Sequence, residues 1–182
     1  KRFDIDANAN KLGQEDFAST AGKTPQTHGE HYKYSGNYLE LFQLMQTYVP
    51  AYKLEAPKLL KILMFNYLFS NGDAHLKNFS LLETKMGDYR LSPAYDLLNS
   101  RIHIEDKDFA LEDGLLPGNL ARGKNEQQFT TLAEQAGIGE KVFKDIKSRI
   151  LTHSSPVENM IASSFLNKST QRNYWQSYQG RL

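Results

Sequence analysis

The chain's 182 residues carry 22 basic and 21 acidic side chains, a formal net charge of +1 that argues against a broad nucleic-acid footprint, which needs clustered cations. No cysteine is present, so disulfides, thiolate zinc sites and a cysteine nucleophile are excluded. With 40% hydrophobic and 24% charged residues, the composition is that of one ordinary folded domain or large subdomain.

In chain order, "KRFDI" (Lys1–Ile5) alternates like a short strand and runs into an Asp/Asn-rich turn. "QEDFASTAG" reads as one short helix closed by Gly22 as a C-cap. Residues 28–36, "HGEHYKYSG", read as loop. Residues 37–49 place Tyr38, Leu39, Leu41, Phe42, Leu44, Met45 and Tyr48 at helical spacing. Pro57 to Phe69 is a second, more buried helix. Its apolar run, Leu59 to Phe69, is broken by Lys61 and Asn66 and is far short of the roughly 20 residues that cross a bilayer. "NFSLLETKMGDYRL" predicts a hairpin: a strand near residues 78–83, a turn at Gly87-Asp88, and a return at Tyr89 to Leu91. "IHIEDKDFAL" has some strand character. From Asn125 onward four helices are expected, over 125–136, 140–152, 156–165 and from Ser169. The "GIG" at residues 137–139 follows a helix, so it punctuates that helix and is no phosphate loop. The fold expected is mainly α with small β-hairpins.

Chemistry concentrates in "FNYLFSNGDAHLKNFSLL", residues 65–82, where an apolar helix ends at Asn71-Gly72 and Asp73, His75, Lys77, Asn78 and Ser80 follow within a few residues. Phosphoryl transfer asks for an acid that orients the attacking hydroxyl, oxygen ligands for Mg²⁺ and a cation against the phosphates. Asp73 can be the base, Lys77 the cation and Asn78 an amide-oxygen ligand. Asp96, in "SPAYDLL", lies just past the hairpin, and a hairpin returns its end close to its beginning. Mg²⁺ keeps several waters, so Asn78 and Asp96 suffice as protein ligands. His75 reads as a hydrogen-bonder that orients the loop. Asn71 and Gly72 read as a plain turn.

"NGDAHLKNFSLL" with "LSPAYDLLNS" resembles the C-terminal lobe of HipA-like serine/threonine kinases, the toxins of bacterial toxin–antitoxin pairs. "KRFDI" looks like that family's hinge strand, and "QEDFA", "HYKYSG" and the closing "YQGRL" are similar to further signatures, so the likeness runs across nearly the whole of residues 1–182. The resemblance implies the helical C-terminal lobe of a protein-kinase-like fold: hinge strand over 1–5, catalytic loop and metal-site hairpin over 71–98, and a helical part over 125–182. It implies ATP and Mg²⁺ as cofactors, with Asp73 catalytic, Asn78 and Asp96 holding the metal, Lys77 assisting at the phosphates and His75 supporting the loop. The backbone around Lys1 to Phe3 would meet adenine and Asp4 would approach the ribose. The implied partners are a protein substrate, aminoacyl-tRNA synthetases among the class, and a DNA-binding antitoxin. No direct nucleic-acid contact and no membrane are expected, and the location expected is cytoplasmic. No glycine-rich turn follows a strand upstream of Asp73, so the N-terminal lobe is expected to be missing and the chain to need it from elsewhere.

Three other readings stand beside this one. A small-molecule phosphotransferase of the aminoglycoside or choline kinase type shares a D-x-H-x-x-N loop, but usually has proline at the place of Lys77. A non-catalytic pseudokinase or antitoxin-docking lobe would keep the loop without turnover. A metal-dependent hydrolase would use His75 with Asp73 and Asp96. Smaller features read as structural: Tyr174, Trp175 and Tyr178 as a packing stripe, and Lys141, Lys144, Lys147 and Arg149 as the solvated face of a helix packed through Val142, Phe143, Ile146 and Ile150.

Overall fold

The structure is a computed structural model and describes residues 2–103, 107–152 and 154–182. The described residues form eight helices, α1 (Phe17–Thr20), α2 (Pro25–His28), α3 (Leu39–Tyr48), α4 (Tyr52–Leu68), α5 (Asn125–Gln135), α6 (Glu140–Leu151), α7 (Ser154–Ala162) and α8 (Lys168–Gln179), and one small antiparallel sheet. The sheet runs in the order β1 (Gln14–Asp16), β2 (Ser80–Glu83), β3 (Tyr89–Leu91), with Glu15 opposite Leu81 and Leu81 opposite Leu91.

Helix α4 is the axis of the core. Leu59, Leu60, Leu63 and Met64 are buried at helical spacing, and α3 lays Leu41, Phe42 and Met45 against the same interior. α4 begins five residues before the start expected at Pro57, which lies inside it. Proline removes one amide donor and crowds the carbonyl of Lys53 four residues back, a cost that the packing of α4 against the core outweighs here. The Tyr52 hydroxyl, donating to the Ala136 carbonyl at 2.7 Å, anchors this first turn to the end of α5. That carbonyl sits in a Schellman turn: Gly137 takes φ +68°, and the amides of Gly137 and Ile138 donate to the carbonyls of Glu134 and Ala133 at 2.9 Å each. The punctuation expected of "GIG" is thus present.

The hairpin and the four C-terminal helices stand close to their expected places. The N-terminal third does not. Residues 2–5 form turns, with an isolated bridge between Ile5 and Lys11 in place of a hinge strand. "QEDFASTAG" divides into β1 and α1, because β2 needs an edge partner and the Asp16 carboxylate, accepting from the Ser19 amide at 3.0 Å, caps a new helix. The loop at 28–36 contains a 3₁₀ turn at Tyr32–Tyr34. Of "IHIEDKDFAL", Ile102 ends a 3₁₀ turn at Ser100–Ile102, residues 104–106 lie outside the described set, and residues 107–110 form no strand. Tyr178 is buried and stacks on Trp175 at 5.6 Å, as a packing stripe should, whereas Val142 stays exposed and α6 packs through Phe143 and Ile146.

Candidate active site

The loop after α4 alternates between core and surface. Ala74, Leu76 and Phe79 are at most 3% exposed and belong to the main core, while Asp73, Lys77 and Asn78 turn outward. Every second or third residue is therefore an apolar anchor, and the polar groups between them sit on a segment that cannot drift. A buried bond from the Tyr38 hydroxyl to the Ala74 carbonyl, at 2.7 Å, fixes the same loop to the start of α3.

Asn71 proves to be far more than a turn residue. It is 3% exposed, and its side-chain amide donates to the Asn66 carboxamide oxygen at 3.1 Å and to the Asp96 carbonyl at 3.2 Å. Its own oxygen accepts from the Asp73 amide at 3.3 Å. One side chain thereby joins the end of α4, the loop carrying Asp73 and the loop carrying Asp96. Asp96 has φ +54°, a left-handed conformation that Asp tolerates better than most residues.

Asn78 and Asp96 meet as expected: the Asn78 amide nitrogen donates to an Asp96 carboxylate oxygen. The Asn78 oxygen accepts from the His75 amide at 3.0 Å, and the same amide reaches the Asp73 carbonyl at 2.8 Å. The three residues are thus one hydrogen-bonded unit. Asp73 Oδ1 accepts from the Tyr34 hydroxyl at 2.8 Å. The His75 ring is buried, meets the Tyr34 ring edge-on at 5.2 Å, and keeps Nδ1 without a partner among the described residues. Burial first, then Lys33, pushes the imidazole below its ordinary value, against the opposing pull of Asp73 and Asp96. Burial thus favours the neutral form of a ring that packs against Tyr34.

Lys77 sits on the same loop, but its ammonium pairs with Asp16 Oδ2 at 2.6 Å, which holds its pKa above the ordinary value. Asp16 thus divides its carboxylate between capping α1 and holding Lys77. The Tyr95 hydroxyl contacts Ser80 Oγ and donates to the Lys77 carbonyl at 2.9 Å, and the Phe3 ring stacks on Tyr95 at 5.7 Å. Phe3 is in this way brought beside the site. Asp4 is buried under Arg2, whose guanidinium donates to it at 2.9 Å and holds its carboxyl below the usual range. Lys1 lies outside the described residues.

The donor chemistry suits a hard cation: Asp96 offers carboxylate oxygen, and the Asn78 oxygen keeps a lone pair beyond the one given to His75. The hydrolase reading needs His75, Asp73 and Asp96 as a three-ligand cluster, and the described residues contain no such cluster. Asn71, Tyr34 and Asp16 are the site residues that sequence reasoning missed. Asn-Gly after an apolar run signals a turn equally well whether its amide is exposed or buried, and the partners of Tyr34 and Asp16 lie 39 and 61 residues away.

The model of the HipA-like C-terminal domain family matches residues 1–157. The chain belongs to this family. Among curated proteins, Y4dM of Sinorhizobium fredii, which carries a kinase name, is 31% identical over 131 residues, covering 72% of this chain and 30% of that protein. Y4mE of the same organism, likewise kinase-named, is 33% identical over 143 residues, 75% of this chain and 32% of that protein. The HipA-like chain thus spans about a third of these relatives. A chain of the Shewanella oneidensis complex of HipA, HipB and operator DNA superposes with a TM-score of 0.70 at 18% identity, covering 100% of this chain and 46% of that one. The Helicobacter pylori proinflammatory kinase CtkA gives 0.53 at 12% identity, covering 97% and 69%. At such identities the likeness is one of fold: a mostly helical kinase lobe with a small antiparallel sheet.

Proposed function

We propose that this HipA-like domain carries the catalytic loop and metal site of an ATP- and Mg²⁺-dependent kinase that phosphorylates serine or threonine on a protein. The observation that carries this reading is the side-chain bond that joins Asn78 to Asp96, eighteen residues on, at a loop whose His75 amide bonds both the Asn78 oxygen and the Asp73 carbonyl. Asp73 would accept a hydrogen bond from the acceptor hydroxyl and take its proton as the oxygen bonds the γ-phosphorus and the bond to the bridging β–γ oxygen breaks, releasing ADP. Asp96 and the Asn78 oxygen would hold Mg²⁺, which supplies positive charge against the phosphate oxygens. Holding a cation there requires Asp96 to give up the Asn78 amide hydrogen. Phe3, stacked on Tyr95, offers an apolar edge for adenine beside Asp4. Lys77 reaches the phosphates after leaving Asp16.

The HipA fold neighbour was solved with HipB and operator DNA, which supports a toxin kinase restrained by a DNA-binding antitoxin. Full activity is proposed for the longer protein, since this chain spans a minority of its relatives. The test is transfer of radiolabelled phosphate from ATP by the longest natural form of the protein. Asp73→Ala is expected to lower the rate by about 100-fold or more, in the range for lost general-base catalysis, with the thermal midpoint nearly unchanged. A folded variant that turned over near the wild-type rate would contradict the assignment.

A further inference from the structure

The Tyr34 hydroxyl is the only hydrogen-bond donor to the Asp73 side chain among the described residues; Asp73 Oδ2 has no partner there. Tyr34 itself is held from several sides. Its amide donates to the His31 carbonyl at 2.8 Å, and its carbonyl accepts from the Glu112 amide at 2.9 Å. The amides of Asp113, Tyr38 and Leu39 continue that seam through the carbonyls of Gly36, Gly114 and Leu115, at 3.0, 3.0 and 3.1 Å. Leu111, Leu115 and Leu116 root the far side of the seam in the core, at 2% exposure or less. The ring meets the His75 ring edge-on at 5.2 Å and carries the Lys33 ammonium 4.9 Å from its centroid.

A lone carboxylate on a loop rotates about its last torsion and offers either oxygen in many directions. A tyrosine hydroxyl bound to Oδ1 restricts that freedom and takes one of its lone pairs, which leaves Oδ2, without a partner among the described residues, the more open oxygen for an incoming hydroxyl. Burial and the adjacent carboxylate push the Tyr34 phenol above its ordinary value, so it stays a donor throughout the neutral range. A donor cannot itself take the acceptor's proton; its effect passes through Asp73.

We propose that Tyr34 is a positioning residue for phosphoryl transfer, aiming Asp73 Oδ2 at the acceptor hydroxyl by holding Oδ1. The proposal rests on the kinase reading above, in which Asp73 is the base. Misorienting a catalytic group by a fraction of its hydrogen-bond geometry lowers rates on the order of 10- to 100-fold. Since Tyr34 touches Asp73 and not Asn78 or Asp96, nucleotide and metal binding stay as they are.

Tyr34→Phe removes one oxygen and keeps the ring against His75. The decisive measurement is steady-state phosphoryl transfer by the longest natural form of the protein, with nucleotide affinity by calorimetry and the thermal midpoint recorded beside it. The expected result is kcat lowered on the order of 10- to 100-fold, with KM for ATP, nucleotide affinity and midpoint held. A merely structural residue would move the midpoint and leave that split absent. The same substitution in an Asp73→Asn background is expected to cost nothing further, because the two act as one unit. Undiminished or faster transfer by Tyr34→Phe overturns the proposal, as does a full additional loss in the Asp73→Asn background. Absence of transfer by the wild type contradicts the kinase reading instead, so the two failures are distinguishable.

Discussion

Asn71 spends both amide hydrogens and one lone pair inside the protein, on three separate segments. Asn71→Ala would strand the buried Asn66 oxygen and release the carbonyl of exposed Asp96, and one unpaired buried group costs about 1–3 kcal/mol. A loss of roughly 1–3 kcal/mol in denaturant unfolding is expected, together with weakened nucleotide binding as Asp96 is released; a loss below about 0.5 kcal/mol would show that the hub is idle. His75 makes a pH prediction. Its folded pKa lies below its unfolded value of about 6.5, so its contribution is complete above that pH and is lost as pH falls through the lower folded value. Between pH 8 and pH 5.5 the wild-type thermal midpoint should therefore drop further than that of His75→Gln, which cannot titrate there. Equal drops would mean that the ring protonates freely. At this scale residue type and spacing pointed to Asn78 and Asp96 as neighbours, and their side chains meet, while the Asp73 carboxylate bonds Tyr34. It could not separate Asn71 the turn-former from Asn71 the buried clamp, because burial of an amide depends on what folds over it.

Among the elements, those with a strong local signal were legible. The apolar period of α3, α5 and α6 and the Gly-Asp turn between β2 and β3 needed no distant partner to be recognised. Where a distant partner decides, local reading fails: "QED" became a strand only because β2 lies beside it, and Pro57 misplaced the start of α4 because tertiary packing outweighed a proline near a helix start. Asp16 sits at the junction of β1 and α1 and tests which of its two bonds matters. Its pair with Lys77 is partly exposed, and such pairs contribute about 0–1 kcal/mol, whereas loss of an N-cap carboxylate costs about 1 kcal/mol. Asp16→Ala is thus expected to destabilise by about 1–2 kcal/mol in thermal unfolding, most of which should persist in a Lys77→Met background. If the loss vanished in that background, the ion pair and not the cap would be the stabilising bond.

At the scale of the molecule, the described residues form two apolar clusters that share α4 and its end. The larger packs α3, α4, α5, α6 and the loop at residues 71–79, and the smaller joins Leu68 to Val157, Ile161 and Tyr178. The chain's last residues tie back through Arg181, which donates to Asp108 at 2.5 Å and lies over the Tyr67 ring at 5.4 Å. The loop at residues 71–79 is therefore seated on the larger cluster, with Ser70 at its root bonded to Ser177 of α8 at 3.0 Å. Such a pedestal explains how so many polar groups can crowd one helix end: Ala74, Leu76 and Phe79 anchor the loop in the core, and its polar residues are free to turn outward. Among the described residues no helix is long and apolar enough to cross a membrane. Whether this HipA-like lobe binds nucleotide at that loop is the question on which the account turns. Calorimetric titration with Mg-ATP, beside an Asp96→Asn variant that tolerates the same left-handed backbone, answers it most directly. Magnesium-dependent binding that the variant loses at least tenfold is expected; binding that is equal in the two proteins, or indifferent to magnesium, would contradict a nucleotide site at this loop.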